Sequence, residues 1–275
     1  MSKHKIRIIS ALIGAVFVIA LIFCKAWIFH IIVAAACLIM LHELQVTFKL
    51  DKKWQVVVPC YIFAIGYLIF PAIWPYGWQM FVPTLLVLQL MVLMIISVIC
   101  HEKICFSDVV SSFFAVIYAV LFPMHLTYIR QMDHGIALLF IPFLGAWMPD
   151  TFAYFAGRMF GKHKLIPGVS PNKTVEGAIG GVLGPVVTFL LYGLVLSFGF
   201  QFTVNYLSLM GLALICGVVA QFGDLSASVI KRATGIKDFG NLIPGHGGML
   251  DRIDSLVFIA PVVYYFLLMF EVICK

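Results

Sequence analysis

The stretch AVFVIALIFC (residues 15–24) decides the fold, because it contains neither a charged residue nor a residue that favours a turn. A membrane-spanning helix needs roughly 20 mostly apolar residues, and similar apolar runs follow along the rest of the chain. A strand of a transmembrane barrel would instead alternate apolar and polar residues over about ten positions. The unbroken runs therefore predict spanning helices.

The composition of the whole chain supports this prediction. Hydrophobic residues make up 63% of the 275 positions, charged residues make up 11%, and the mean hydropathy is +1.08. Soluble domains are about 45–50% apolar and about 25% charged. A soluble globular protein is therefore excluded, and we predict an all-α, polytopic integral membrane protein that forms one helical bundle over residues 1–275.

The apolar runs predict about nine transmembrane helices. The basic head of the chain resembles a signal peptide, but no small-residue cleavage site with a polar mature start follows it, so we expect a retained first span. The predicted spans are 6–24, 26–45, 55–75, 79–99, 109–130, 135–157, 175–199, 205–230 and 250–273.

The basic residues predict the orientation of these spans. If the N-terminus is cytoplasmic, fifteen of the 18 Lys and Arg residues fall in cytoplasmic segments, and only Lys25, Arg130 and Lys275 do not. Cytoplasmic loops of membrane proteins carry such an excess of positive charge. We therefore expect the C-terminus outside, and the polar loops 158–174 and 231–249 on the cytoplasmic side, where nucleotides are.

The segment GDLSASVIKRATGIKDFGNLIPGHGGMLDRIDS (223–255) holds an unusual density of charge. If the eighth span continues to about residue 232, Asp224, Ser228 and Lys231 share one helical face. Asp251 and Asp254 share a face on the first turn of the ninth span. Three carboxylates that converge require a cation between them, and such hard oxygen ligands suit Mg²⁺. We therefore predict a magnesium site at Asp224, Asp251 and Asp254.

Basic residues surround these acids, and glycines precede the ninth helix, where exposed backbone N–H groups can bind phosphate. Metal-holding acids next to phosphate-holding bases suit phosphoryl or nucleotidyl transfer. The alternative is that the charges anchor the protein at the membrane surface, although acids contribute nothing to such anchoring. The candidate phosphate-binding residues here are Arg232, Lys237, His246, Gly247, Gly248 and Arg252.

A second polar segment, DTFAYFAGRMFGKHKLIPGVSPNKTVEG (150–177), adds Arg158 and Lys173 as candidate phosphate ligands. Ser170-Pro171 predicts a helix N-cap, with Lys173 in the first turn. Asp150 lies inside a span and lines a pocket with Tyr154, or else it pairs with a neighbouring helix. Glu176 either caps its helix or orients Lys173. The glycines of GAIGGVLG (177–184) predict close helix packing, whereas Glu43 and Asp133 have no assigned role.

The residues of 228–254 resemble the signature of phosphatidate cytidylyltransferases (CDP-diacylglycerol synthases). That signature runs Ser, two residues, Lys-Arg, four residues, Lys-Asp, then Pro-x-His-Gly-Gly and Asp-Arg-x-Asp, and every fixed position matches. The 150–177 segment is similar to the other polar segment of the family. We expect residues 1–134 of this single domain to form the N-terminal spans and 135–275 to form the catalytic spans and the cytoplasmic loops.

The resemblance implies a reaction of CTP with phosphatidic acid that gives CDP-diacylglycerol and pyrophosphate in phospholipid biosynthesis. It implies catalytic roles for Asp224, Ser228, Lys231, Asp251 and Asp254, and a Mg²⁺ cofactor with a second, monovalent cation such as K⁺. We expect CTP, phosphatidic acid, the bilayer of a bacterial inner membrane and a second copy in a homodimer as partners, and no nucleic acid.

Two other functions remain open from the sequence. A CTP-dependent kinase of a polyprenol-type alcohol would also bind CTP, but it would require a general base near the acceptor hydroxyl. A transporter of anionic solutes would place its charges near the bilayer midplane between repeated halves. The charges here cluster at one interface, and no repeat is apparent.

Overall fold

The computed structural model of the chain describes residues 14–73, 78–242 and 247–274. Ten α-helices are numbered here along this described part of the chain. Their bounds are α1 Gly14–Phe23, α2 Ala26–Thr47, α3 Trp54–Ile73, α4 Trp78–Ile99, α5 Phe106–Val116, α6 Phe122–Gln131, α7 Gly135–Phe160, α8 Val175–Leu194, α9 Tyr206–Thr234 and α10 Leu250–Met269.

Seven helices of the described residues are long and apolar enough to cross a membrane. One of them is the continuous run Phe106–Gln131, in which the π-helical turn Ile117–Leu121 joins α5 to α6, and another is α8 extended by a second π-helical turn, Val195–Gly199. The apolar helix α1 and the apolar part of α3, Trp54–Phe70, are shorter. The prediction of an all-α, polytopic membrane protein is confirmed.

Each predicted span contains a helix, and the differences lie at the ends. Residues 6–13 of the first predicted span are outside the described part of the chain. α9 continues to Thr234, beyond the predicted end at 230, and stops where Gly235 adopts the left-handed conformation at φ +74°, a common helix terminator. α10 stops at Met269, before the predicted end at 273, and Ile273 and Cys274 form a short strand.

The chain divides into two compact units. The first comprises the described residues of 1–29, 125–235 and 253–275, and the second comprises those of 30–124 and 236–252. Most of the predicted catalytic part, 135–275, thus lies in the first unit, whereas 236–252 belongs to the second.

In the first unit, glycines allow α7, α8 and α9 to pack closely. A Cβ atom at Gly177 would lie 2.9 Å from the carbonyl oxygen of Ala153 on α7, and one at Gly181 would lie 3.0 Å from that of Pro149. A Cβ atom at Gly217 on α9 would lie 2.8 Å from the Cα of Val182 on α8. Only glycine permits these backbone approaches, so the predicted packing role of the 177–184 glycines is confirmed.

Two small antiparallel strand pairs accompany these helices in the first unit. β1 (Lys164–Ile166) pairs with β2 (Ser170–Thr174) in the loop between α7 and α8. β3 (Thr203–Val204) pairs with β4 (Ile273–Cys274), which brings the segment after α10 beside the start of α9. Neither pair was predicted, because strands this short leave no periodic pattern in the sequence.

In the second unit, α3 packs against α4 and α5. The ammonium group of Lys53, just before α3, lies 2.5 Å from the carboxylate of Asp108 in the first turn of α5. The same carboxylate accepts a hydrogen bond from the backbone N–H of Cys105 at 2.9 Å. One acid thus caps α5 and joins it to the start of α3.

Candidate active site

The end of α9 presents three of the predicted site residues on one face. Because α9 continues to Thr234 without a break, Asp224, Ser228 and Lys231 lie at helical spacing on one face. All three residues are half-buried. Lys231 and Arg232 lie in the last turn, where cations stabilise the negative end of the helix dipole. Arg232 is exposed.

A close contact between α9 and α10 brings two of the predicted carboxylates together. A Cβ atom at Gly223 would lie 3.0 Å from both the carbonyl oxygen of Asp254 and the Cα of Ser255. The neighbouring side chains of Asp224 and Asp254 are near enough for their charges to interact. Ile253, directly before Asp254, has non-helical angles of φ −129° and ψ 17°, so the helix is kinked at this contact.

Lys173 reaches the same place from β2. Its ammonium nitrogen lies 2.5 Å from the carboxylate of Asp224, and the two side chains are 24% and 30% exposed. Lys173 is predicted from the sequence to bind phosphate. In the structure its partner is one of the predicted metal ligands, so one residue from each polar segment meets in a partly buried ion pair.

Asp150, on α7, completes the group. Its carboxylate interacts electrostatically with Asp224 and Lys173, and Asp254 interacts with both Asp150 and Lys231. We call these five residues the charged cluster: Asp150, Lys173, Asp224, Lys231 and Asp254. Three carboxylates face two ammonium groups, so the cluster has an excess of one acid when all five groups are ionised, and a bound cation would balance it.

A cleft of about 490 Å³ opens beside the charged cluster, and both Asp150 and Lys173 line it. Tyr154 and Arg158 line the same cleft from the end of α7, and the guanidinium of Arg158 donates a hydrogen bond to the hydroxyl of Tyr154 at 3.2 Å. The cleft therefore presents cationic and anionic side chains to one volume, within one unit.

The hairpin before α8 differs from the prediction. The N-cap is Thr174, whose hydroxyl accepts a hydrogen bond from the backbone N–H of Gly177 at 3.1 Å. The expected N-cap at Ser170 is wrong, because Ser170 and Pro171 belong to strand β2. Lys173 thus precedes the helix and is not in its first turn.

Glu176 stabilises the part of this loop that lies between α7 and β1. Its carboxylate accepts hydrogen bonds from the backbone N–H groups of Lys162 and His163, at 3.1 and 3.3 Å, and lies 2.7 Å from the Nδ1 atom of His163. Lys162 and Lys164 are exposed. The contacts of Glu176 therefore order the loop after α7.

In the second unit, a glycine turn leads into α10. Gly247 has φ +84°, a conformation that favours glycine. The carboxylate of Asp251 accepts hydrogen bonds from the backbone N–H groups of Phe239, at 2.8 Å, and Gly248, at 3.0 Å. The side chain predicted as a metal ligand therefore also closes the loop that precedes its own helix.

Glu43, on α2, binds the same turn from the other side. Its two carboxylate oxygens accept hydrogen bonds from the backbone N–H groups of Met249, at 2.7 Å, and Leu250, at 2.9 Å. Glu43 is only 7% exposed. We call Glu43, Asp251 and residues 247–250 the capped turn.

The capped turn bears on the predicted phosphate site at the start of α10. The N–H groups of Gly248, Met249 and Leu250 already donate hydrogen bonds to carboxylates of the protein. Phosphate binding by Gly247 and Gly248 stays a prediction. His246 lies outside the described residues. Lys237 and Arg252, also predicted to bind phosphate, are exposed residues of this unit.

The predicted metal ligands fall in both units, since Asp224 and Asp254 belong to the first and Asp251 belongs to the second. In the part of the chain that the structure describes, no group of three or more His, Cys, Asp or Glu side chains is close enough to hold a metal ion. Magnesium is commonly held by only one or two carboxylates together with substrate phosphates. Asp224 and Asp254 are hard oxygen donors that fit this arrangement.

The role of Glu43 was not predicted from the sequence. The available signal was an acid within a predicted span, which is costly unless the carboxylate has a partner. Its backbone partners lie 206 and 207 residues further along the chain, and no local pattern connects such distant positions.

Comparison with known proteins supports the family resemblance that the two polar segments carry. Residues 5–270 match the Cytidylyltransferase family. A protein of Staphylococcus aureus (strain COL) named phosphatidate cytidylyltransferase is 33% identical over 264 residues, which cover 94% of this chain and 96% of that protein. Proteins with the same name from Bacillus subtilis (strain 168) and Thermotoga maritima are 42% and 43% identical over 144 and 133 residues, about half of each chain. The chain therefore belongs to the cytidylyltransferase family.

Proposed function

We propose that this membrane enzyme condenses CTP with phosphatidic acid to give CDP-diacylglycerol and pyrophosphate. The observation that carries the proposal is the charged cluster, in which Lys173 and Asp224 meet beside a cleft that Arg158 also lines. Two phosphorylated substrates require this combination of cationic groups for phosphates and carboxylates for a metal ion. The similarity along nearly the whole chain to a phosphatidate cytidylyltransferase gives independent support.

The reaction needs no covalent intermediate on the protein. An oxygen of the lipid phosphate attacks the α-phosphorus of CTP and forms a new P–O bond. The bond between the α-phosphorus and the bridging oxygen to the β-phosphate breaks, and pyrophosphate leaves with the electron pair. Such transfer depends mainly on positioning and on neutralisation of the phosphate charge.

The cationic residues of the first unit supply that neutralisation in our proposal. Lys173, Lys231 and Arg232 bind the triphosphate, and Arg158 binds the phosphate of the lipid within the cleft. Lys173 exchanges the carboxylate of Asp224 for a phosphate oxygen when substrate binds, because both partners are anionic. Ser228, one turn from Asp224, orients a phosphate through its hydroxyl group.

The carboxylates are the proposed ligands of the cofactor. Asp224 and Asp254 would hold Mg²⁺, which would supply positive charge to neutralise the phosphates. Asp150 adds a third negative charge and would favour a second, monovalent cation such as K⁺ at the same cluster. Asp251 remains a further candidate ligand.

The proposed membrane arrangement follows the distribution of basic residues. The chain is a multi-pass membrane protein, and we propose that loops 158–174 and 231–249 face the cytoplasm. Phosphatidate then approaches within the leaflet, and its acyl chains remain in hydrocarbon throughout. The cluster residues come from one chain, and the homodimer that we expect stays a proposal.

An assay of the purified protein tests the proposed function. Product formation should require both labelled CTP and phosphatidate, release pyrophosphate and stop when Mg²⁺ is chelated. Diacylglycerol lacks the attacking phosphate, so it should not replace phosphatidate. Phosphorylation of diacylglycerol or of a polyprenol by CTP, without any reaction of phosphatidate, would instead identify a lipid kinase.

A further inference from the structure

A second depression in the first unit lies between α8 and α9 and is almost wholly apolar. It encloses about 410 Å³, and nine of its ten lining residues are hydrophobic, with Gln221 as the exception. The side-chain nitrogen of Gln221 donates hydrogen bonds to the carbonyl oxygens of Gly217, at 2.9 Å, and Ala178, at 3.1 Å. The groove therefore presents an apolar surface that suits a hydrocarbon chain and would not bind a charged nucleotide.

This apolar groove adjoins the cleft of the charged cluster. Leu165, Ala178 and Gln221 line both the groove and the cleft. One ligand that fills both volumes must be charged at one end and apolar at the other. The two volumes thus match an amphiphile whose phosphate lies near Arg158, in the cleft.

The mouth of the groove faces outward on the spanning helices. Ile179 is 56% exposed, Val218 is 42% exposed and Phe222 is 61% exposed. The α8 residues that line the groove run from Val175 to Val182, a length of about 10 Å at 1.5 Å per residue. A hydrocarbon chain can therefore enter sideways from the bilayer and follow α8 for two turns.

We propose that this groove binds the first part of one acyl chain of phosphatidate while the phosphate of the same molecule lies in the cleft. The inference rests on the proposed function and adds to it a site for the lipid tail. An ordinary bilayer lipid could cover the groove without placing its headgroup in the cleft. Phosphatidate as substrate occupies both volumes, so the groove contributes to the affinity for phosphatidate and not to the affinity for CTP.

Val218→Phe, which fills the groove from α9, tests this proposal. In mixed micelles of a non-ionic detergent, the KM for dioleoyl phosphatidate should rise at least about fivefold, as expected when apolar contacts in a pocket are lost. The KM for CTP should stay within about twofold of wild type. Dihexanoyl phosphatidate, whose chains make fewer contacts in the groove, should be affected less.

Val187→Phe is the matched control, because Val187 is 53% exposed on α8 and does not line the groove. If Val218→Phe does not fold, Val218→Ala should still raise the KM for the dioleoyl substrate about threefold through lost contacts. Equal effects of the Val218 and Val187 variants, or equal effects on both chain lengths, would overturn the groove assignment alone. Absence of CDP-diacylglycerol from the wild type would overturn the proposed function as well.

Discussion

The charged cluster and the capped turn use the same type of residue in opposite ways. In the capped turn, Glu43 and Asp251 accept hydrogen bonds from four backbone N–H groups at 2.7–3.0 Å. In the charged cluster, Asp224 meets the ammonium group of Lys173, and Asp150 and Asp254 interact with the charges around them. Fixed backbone dipoles balance the first group of acids, and mobile side-chain cations balance the second.

This difference separates two roles for acids in a membrane protein. A carboxylate bonded to backbone N–H groups at a helix start is strongly stabilised and orders the chain around it. A carboxylate that faces other carboxylates requires a cation, and a metal ion or a substrate-bound cation can satisfy that need. We therefore expect variants of the cluster to affect chemistry first, and variants of the capped turn to affect folding first.

The largest effect is expected for Asp254→Asn. The substitution keeps the shape of the side chain and removes the charge that a hard cation requires, so the specific activity should fall by about a thousandfold or more. The protein should remain folded and inserted, as judged by size-exclusion chromatography and circular dichroism in detergent.

Asp238→Asn is the control for this prediction, because Asp238 is an exposed acid in the loop between α9 and α10. Its activity should stay within about threefold of wild type, as expected for a surface charge. Near-normal turnover by Asp254→Asn at ordinary Mg²⁺ concentrations would remove Asp254 from the proposed metal site.

Lys173→Ala should produce the next largest loss, about a hundredfold in kcat/KM. The substitution removes a phosphate ligand and leaves Asp224 without its partner. Lys164→Ala, on the other strand of the same hairpin, removes an exposed lysine and should lower kcat/KM by no more than about threefold. If the two lysine variants behaved alike, the ion pair with Asp224 would have no part in the reaction.

Glu43→Gln should have a smaller effect on activity and a clear effect on stability. The amide keeps one acceptor but loses a charge-assisted hydrogen bond to the start of α10, which costs roughly 1.5–3 kcal/mol. We expect a lower melting temperature and a loss of about tenfold in kcat/KM. Glu102→Gln, at an exposed loop position, should change neither quantity, and a Glu43 variant as stable as the Glu102 variant would contradict the capped turn.

Asp251→Asn sharpens the comparison between the two groups of acids. Its carboxylate binds Phe239 and Gly248, so the variant should resemble Glu43→Gln in its loss of stability. If Asp251→Asn remained as stable as the wild type but lost activity to the extent of Asp254→Asn, Asp251 would belong to the metal site that the sequence predicted.

Periodicity and charge were enough to predict the helical spans, the shared face of Asp224 and Lys231, and the close packing at Gly177 and Gly181. These features depend on residues that are near one another in the sequence. The partners of Glu43 could not be predicted, because they lie in a turn more than two hundred residues away.

The remaining differences between prediction and structure arise where the sequence allows more than one local arrangement. Ser170 and Thr174 are both acceptable N-caps by residue type, and the pairing of β1 with β2 selects Thr174. Asp150 was expected either to line a pocket or to pair with a neighbouring helix. Its place beside Asp224 and Lys173 depends on the packing of α7, α8 and α9, which residue spacing on a single helix does not specify.

The most direct test of the central claim is binding of Mn²⁺, as a probe of the Mg²⁺ site, to purified protein with CTP, followed by electron paramagnetic resonance. Wild type and Glu43→Gln should bind Mn²⁺ with the same Kd, because Glu43 holds the capped turn. Asp254→Asn should bind at least about tenfold more weakly, because a metal ligand has lost its charge. Unchanged Mn²⁺ affinity in Asp254→Asn, or an equal loss in Glu43→Gln, would contradict the division between the charged cluster and the capped turn.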